Sequence, residues 1–447
     1  MVCPPPRRWQ LLLGANLLFY AVLCPAALPV LAGSSFLVWW CGRRTAKKPV
    51  FLAGLAAALL PLALLKYLPA ALGWQGTLAN ALGIGYFTLQ LVSYLCDVRR
   101  GRILPEEKYA RLLCYASFFL SITQGPFNRY DALMPQLDRP TVWDTDRVWR
   151  GVQRSAWGYF KKLAVADRAA VVVDTVFANP AAFDRTQLLL GGVLFTVQLY
   201  ADFSGYTDIV LGVGEVLGLH LPENFRQPFF ADSVKDIWAR WHISLSQWLR
   251  DYIYIPLGGS RCSKARKDGN LIITFLVSGL WHGADWRYLA WGLFTGLLAA
   301  FGVMTARARQ RINRYNPLYR MGWFKVFWQC LFTNALFCLT LVFFASAIYN
   351  TDPFAVYGSL LQGWDGLTGS WAQVSNLIYS SGIDGRLPVV LLFGCFVVFA
   401  AEHKGRSVAR WIRQQVWPLR WTLYYGMAAA ILFFAAFGQS AFIYQQY

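Results

Sequence analysis

Apolar runs close to twenty residues long recur through this chain, and most of its lysine and arginine falls in the short loops between them. A helix that is apolar all round is buried, either in a large core or in a bilayer. Of 447 residues, 56% are hydrophobic, 17% are aromatic and 15% are charged, against roughly 25% charged in a soluble protein. The expected fold is therefore all-α and polytopic, a single membrane-embedded domain over 1–447. Trp and Tyr suit the interfacial belts. The net charge of +19 sits in loops rather than on a soluble face, which favours cytoplasmic loops and membrane lipid over nucleic acid as partner. Nine cysteines form no CxxC pair, so neither a disulfide framework nor a metal site is expected.

The order of runs gives a topology. Residues 9–40 read as two short helices broken near Pro25 and Pro29, because interior proline removes a backbone donor. Residues 49–72 read as a span bent at Pro61, and 77–96 as its return. Residues 109–123 are short for a span and end in a breaker, Gln124 to Tyr130, so this piece is expected to be re-entrant or packed inside the protein. Residues 157–177 cross outward, with Lys161 and Lys162 near the inner end. Residues 222–256 mix charge with Trp and Tyr and read as amphipathic helices at the cytoplasmic interface. Residues 324–348 exit, 349–385 lie outside, 387–401 return and 421–443 exit. This places the N-terminus in the cytoplasm and the C-terminus outside the cell membrane.

The core for chemistry is 188–304. Gln198, Asp202 and Tyr206 stand at i, i+4 and i+8 on one helical face. A carboxylate there must point into the protein or a wet cavity, either as a clamp between helices or as part of a site. Further on, Trp281 and His282 begin the stretch Trp281 to Trp286. Twelve mostly apolar residues, Asn270 to Trp281, lead into it and another apolar run follows, with basic clusters at both outer ends. Cations on both flanks make this a hairpin that enters and leaves on the cytoplasmic side. Twelve helical residues reach only about 18 Å, which would leave His282 at a turn buried within the membrane. Such an imidazole is either a general base or a hydrogen-bonded hairpin tip. No GxSxG elbow, HExxH or P-loop is present, leaving general-base acyl transfer or a proton relay in a transporter. His220 and His403 read as solvated. His242 lies in the amphipathic region after Arg240 and Trp241.

Read together, Gln198 to Asp208, Leu221 to Arg226 (with Asn224), Arg240 to Leu245, Arg250 to Gly259 and Ser278 to Gly283 resemble the membrane-bound O-acyltransferase (MBOAT) family, bacterial AlgI type. Ala81 to Phe87, Gln124 to Tyr130, Phe160 to Asp167 and Phe442 to Tyr444 add to the likeness. The resemblance implies a bundle of transmembrane, re-entrant and interfacial helices. It implies transfer of an acyl group from a cytoplasmic thioester, acetyl-CoA first, toward a cell-surface polysaccharide. An extracytoplasmic acetyltransferase-like partner protein would assist, and no cofactor would be bound. His282 and His242 would be catalytic, and Asp202, Gln198, Tyr206, Asn224, Arg240, Trp241 and Trp281 would contact substrate. A D-alanyl transferase of the DltB type is the related alternative. Three departures stand out: the first hydrophobic helix usual in the subgroup is lacking, Ala239-Arg240 replaces paired arginine, and residues 341–345 carry no arginine.

Overall fold

The computed structural model describes residues 5–72, 83–361, 387–403 and 408–434, and these are α-helical with no strand among them. Two helices, α1 (Pro5–Leu23) and α2 (Ala27–Gly42), meet at a break just before Pro25, as expected from its ring. Next, α3 (Lys48–Leu62) runs through a π-helical turn (Ala63–Tyr67) into α4 (Leu68–Leu72). The widened turn begins two residues after Pro61, whose missing N–H loosens the ladder there. The return helix is α5 (Ile84–Arg99), then α6 (Tyr109–Ala116) and α7 (Tyr130–Leu137). Between α6 and α7 the chain is largely non-helical yet buried, so the short apolar piece is packed inside the protein.

The second half opens with α8 (Thr145–Phe160), a π-helical turn (Lys161–Ala166) and α9 (Asp167–Ala178), which form one continuous rod against the long α10 (Arg185–Val216). Two seven-residue helices follow, α11 (Val234–Arg240) and α12 (Ile243–Leu249). The hairpin comes next, α13 (Lys264–His282) and α14 (Trp286–Met304), and then α15 (Ala306–Tyr315), α16 (Gly322–Tyr349) and α17 (Pro353–Leu361). Last are α18 (Leu387–His403), α19 (Val408–Arg413) and α20 (Trp417–Phe434). Lys48–Leu72, Arg185–Val216, Trp286–Met304 and Gly322–Tyr349 are each long and apolar enough to cross a membrane. The expected outer loop beyond residue 361, the start of the return at 77–82 and the closing Phe442 to Tyr444 lie outside the described residues.

One reading needs correction. Helix α13 starts at Lys264 rather than Asn270, because Ser263 caps it by accepting from the Arg266 N–H. Nineteen residues span about 28 Å, so the first arm is a full-length helix rather than a short one. Within residues 234–254, Trp241, Leu245, Trp248 and Tyr252 are buried against the rest of the chain, while Lys235 and Arg250 are exposed and line a cavity. Lys161 and Lys162 stand in the π-helical turn of the first rod, buried against α10, where carboxylates pair with them.

The hairpin is pressed together by small residues. A Cβ on Gly279 would collide with the Tyr288 carbonyl oxygen, and one on Gly292 with that of Phe275. Only glycine permits backbones to approach this closely. The apolar interior divides into two clusters. One gathers α1–α7 with Trp248, Tyr252 and Trp281, and the other gathers α8–α10 with Trp241, Tyr288, Trp291 and Phe344. The two histidines of interest sit at the seam between them.

Candidate active site

His282 is the last residue of α13 and is buried. Its ring stands in an aromatic box. Trp291 and Phe344 present edges at 5.2 and 5.1 Å between centroids, Trp281 lies at 4.9 Å, and Tyr288 is roughly parallel at 6.4 Å. His242 precedes α12 in a left-handed backbone conformation, φ 44°, and is 2% exposed. Its imidazole stacks on Phe127 and takes the edge of Phe203. The Trp281 indole touches both imidazoles, 6.2 Å from His242 and 4.9 Å from His282, and donates to the Gly85 carbonyl at 3.1 Å.

A small polar knot fixes His242. The backbone of 224–226 pairs with 240–243 through Arg226 N–H to Arg240 O (2.9 Å) and Ile243 N–H to Asn224 O (3.0 Å). Asn224, fully buried, accepts at Oδ1 from the Ser244 N–H (3.2 Å) and hydroxyl (2.6 Å), and His242 Nδ1 lies 3.3 Å away. Ser244 Oγ accepts in turn from the Phe127 N–H at 2.9 Å. The Ser244 backbone can only donate, so the Asn224 atom facing it is the oxygen, and His242 Nδ1 must carry its hydrogen. That leaves Nε2 as a buried acceptor with no partner among the described residues. Burial pushes the His242 pKa below its ordinary value, so the ring is neutral. A non-glycine residue held at positive φ stores about 1–3 kcal/mol of strain and persists only where its surroundings enforce it.

Both histidines line one cavity of about 640 Å³. Its walls include Trp241, Trp291, Phe337 and Phe344, and Lys235, Arg250 and Lys267 also line it. Trp241 is buried against Phe225 and Phe337.

The other expected site residues stand elsewhere. Asp202 is 1% exposed and pairs with Lys162 at 2.8 Å; Lys162 also holds Asp167 at 2.7 Å. Tyr206 shares a hydrogen bond with the Thr123 hydroxyl, and Gln198 hydrogen-bonds Tyr349. The polar face of α10 thus ties three other parts of the chain together, while its neighbour Leu199 reaches the cavity. Further along α10, Asp208 pairs with Lys161 at 2.6 Å and Arg154 at 2.9 Å, and Arg154 reaches Glu223 at 2.6 Å. Arg240 pairs with Asp236 one turn back. Among the described residues no group of three His, Cys, Asp or Glu converges as a metal site.

Lys66 and Tyr67 were missed by the sequence reading. Both contact the backbone at the end of α13. The signal existed: Lys66 is a lone cation within the run 49–72, and intramembrane charge marks function by default.

Comparison with known proteins identifies the family. The family model for MBOAT, the membrane-bound O-acyltransferase family, matches residues 56–343. The chain is 39% identical over 240 residues to the protein named "Probable alginate O-acetylase AlgI" of Pseudomonas aeruginosa, covering 53% of this chain and 45% of that one. It is 32% identical over 335 residues to a peptidoglycan O-acetyltransferase of Helicobacter pylori, covering 65% and 63%. A teichoic acid D-alanyltransferase of Bacillus subtilis matches at 29% identity over 269 residues, 56% and 67%. The chain thus spans under half the length of the AlgI relative it matches.

Proposed function

The chain belongs to the membrane-bound O-acyltransferase family, and on that premise we propose that it moves an acetyl group from a cytoplasmic thioester to a hydroxyl of a cell-surface polysaccharide. One observation carries the reading: a single cavity of about 640 Å³ joins the cations Lys235, Arg250 and Lys267 to the buried His242 and His282. Cations there suit the phosphates of acetyl-CoA. The aromatic box excludes water from His282, which protects a thioester from hydrolysis. His282 takes the proton of the acceptor hydroxyl as its oxygen attacks the thioester carbonyl carbon. The C–S bond breaks, and the imidazolium returns the proton to the departing thiolate. His242 presents an acceptor, so it orients an N–H or O–H of the substrates rather than the thioester carbonyl.

The family and four apolar helices support a multi-pass cell-membrane location; the N-terminus would be cytoplasmic and the C-terminus outside. The O-acetyltransferase relatives support a glycan acceptor, with an extracytoplasmic acetyltransferase-like partner completing delivery. The D-alanyltransferase match supports a second donor, a D-alanyl thioester.

The test is turnover of the full chain in nanodiscs with labelled acetyl-CoA and alginate or peptidoglycan fragments. General acid–base catalysis contributes about 10²–10⁴-fold, so His282→Ala should lose that much while still folding. Near-normal turnover by His282→Ala would overturn the assignment. Inertness of the parent toward acetyl-CoA, with activity on a D-alanyl thioester, would select the second donor.

A further inference from the structure

The last carbonyls of a helix have no partner within it, and they carry the negative end of the helix dipole. In α13 the final four are all satisfied. Gly279 O accepts from the Gly283 N–H at 3.4 Å. Leu280 O accepts from the Tyr67 hydroxyl at 2.6 Å. Trp281 O and His282 O both accept from the Lys66 ammonium, at 3.1 and 2.8 Å. Three of these donors therefore come from two consecutive residues of another helix. They stand in the π-helical turn Ala63–Tyr67, and π-bulges of this kind are frequent at functional sites. The chain leaves α13 at once, because Gly283 is fully extended.

We propose that Lys66 is a positioning residue for acyl transfer: its ammonium clamps the carbonyls of Trp281 and His282 and so sets how the imidazole enters the cavity, with Tyr67 as the second clamp. The inference rests on His282 being the general base. A positive charge suits the site, because a cation opposes the partial negative charge of the helix end. Of its three N–H donors, two are engaged by these carbonyls. The clamp holds the helix end from a separate membrane helix, so the orientation of His282 depends on how α3–α4 packs as well as on α13.

A misplacement near 1 Å costs about 10²-fold in rate, which sets the scale of the test. Lys66→Met, Lys66→Arg and Tyr67→Phe are compared in the full chain in nanodiscs, with acetyl-CoA concentration varied. Lys66→Met should lower kcat by about 10- to 100-fold and leave the donor KM within about twofold. Lys66→Arg should regain most of that loss, since it keeps charge and donors. Tyr67→Phe, which removes one hydroxyl and no charge, should lower kcat by about threefold; it serves where Lys66→Met fails to fold. In the His282→Ala background, Lys66→Met should lower the residual rate no further, because residues acting through one group do not add. Normal kcat in folded Lys66→Met, or in Tyr67→Phe where the first variant is unfolded, overturns the inference while leaving His282 as base. So does an equal further loss in the His282→Ala background. Full activity in His282→Ala itself brings down the base assignment and this inference with it.

Discussion

Adding one methyl group three residues before His282 should damage catalysis more than stability. Gly279 lies one turn back from His282 on α13, facing α14. A Cβ there falls about 1 Å short of van der Waals separation from the Tyr288 carbonyl oxygen. That neighbour is backbone, so the two helices must part by a similar amount. Tyr288 and Trp291, which flank the imidazole, are carried on the helix that moves. Overpacking costs about 1–3 kcal/mol of stability. Displacing the base against its box by about 1 Å costs roughly 10²-fold in kcat. Gly269→Ala is the control, on the same helix with nothing within 4 Å of a new Cβ. It should gain up to about 1 kcal/mol from helix propensity and keep full activity. The assay is thermal unfolding in detergent beside kcat in nanodiscs. If Gly279→Ala turns over within twofold of the parent, or if Gly269→Ala is equally damaged, the close-approach argument fails.

His242→Gln should keep part of the activity that His242→Ala loses, with the change chiefly in donor KM, because an amide oxygen can replace the buried Nε2 acceptor; equal loss of kcat in both would make the imidazole part of the proton transfer. Asp202→Asn leaves Lys162 with Asp167 as its remaining carboxylate, and breaking a buried pair costs about 3–5 kcal/mol. The yield of folded protein by size exclusion should fall, with kcat per folded molecule within about threefold; an unchanged yield with a hundredfold drop in kcat would move Asp202 into the substrate site.

Much of the architecture was legible because it rests on local rules. Pro25 and Pro61 mark the break and the widened turn since their effect on the backbone is intrinsic. The i, i+4, i+8 face of α10 was visible in Gln198, Asp202 and Tyr206, but not what each would meet. Lys162, Thr123 and Tyr349 come from three distant segments, and periodicity carries no information about partners. The same limit hid the role of Asn224. Its oxygen holds His242 and Ser244 only because residues 224–226 and 240–243 pair. The cavity at 234–254 was not legible either, because charge with tryptophan reads alike for a surface helix and for the rim of a cavity. Lys66 was readable in principle as a lone charge, though its target, a helix end some two hundred residues later, was not.

The buried pairs between α9 and α10 bear on how the chain enters the bilayer. Lys161, Lys162 and Asp167 sit on the first arm, and Asp202 and Asp208 on the second. A single such charge at the centre of an inserting helix is opposed by about 2.5–3.5 kcal/mol. Emerging from the ribosome, the stretch 157–178 of the first arm carries Lys161, Lys162 and Arg168 against Asp167 and Asp174, an excess of cation that lipid will not solvate. The second arm brings the missing carboxylates only after the short turn at 179–184. The two arms must therefore partition as one hairpin, the first waiting in the insertion machinery until the second is made. Biogenesis of this protein should stall when the turn is lengthened, even where the finished fold could accommodate the added residues.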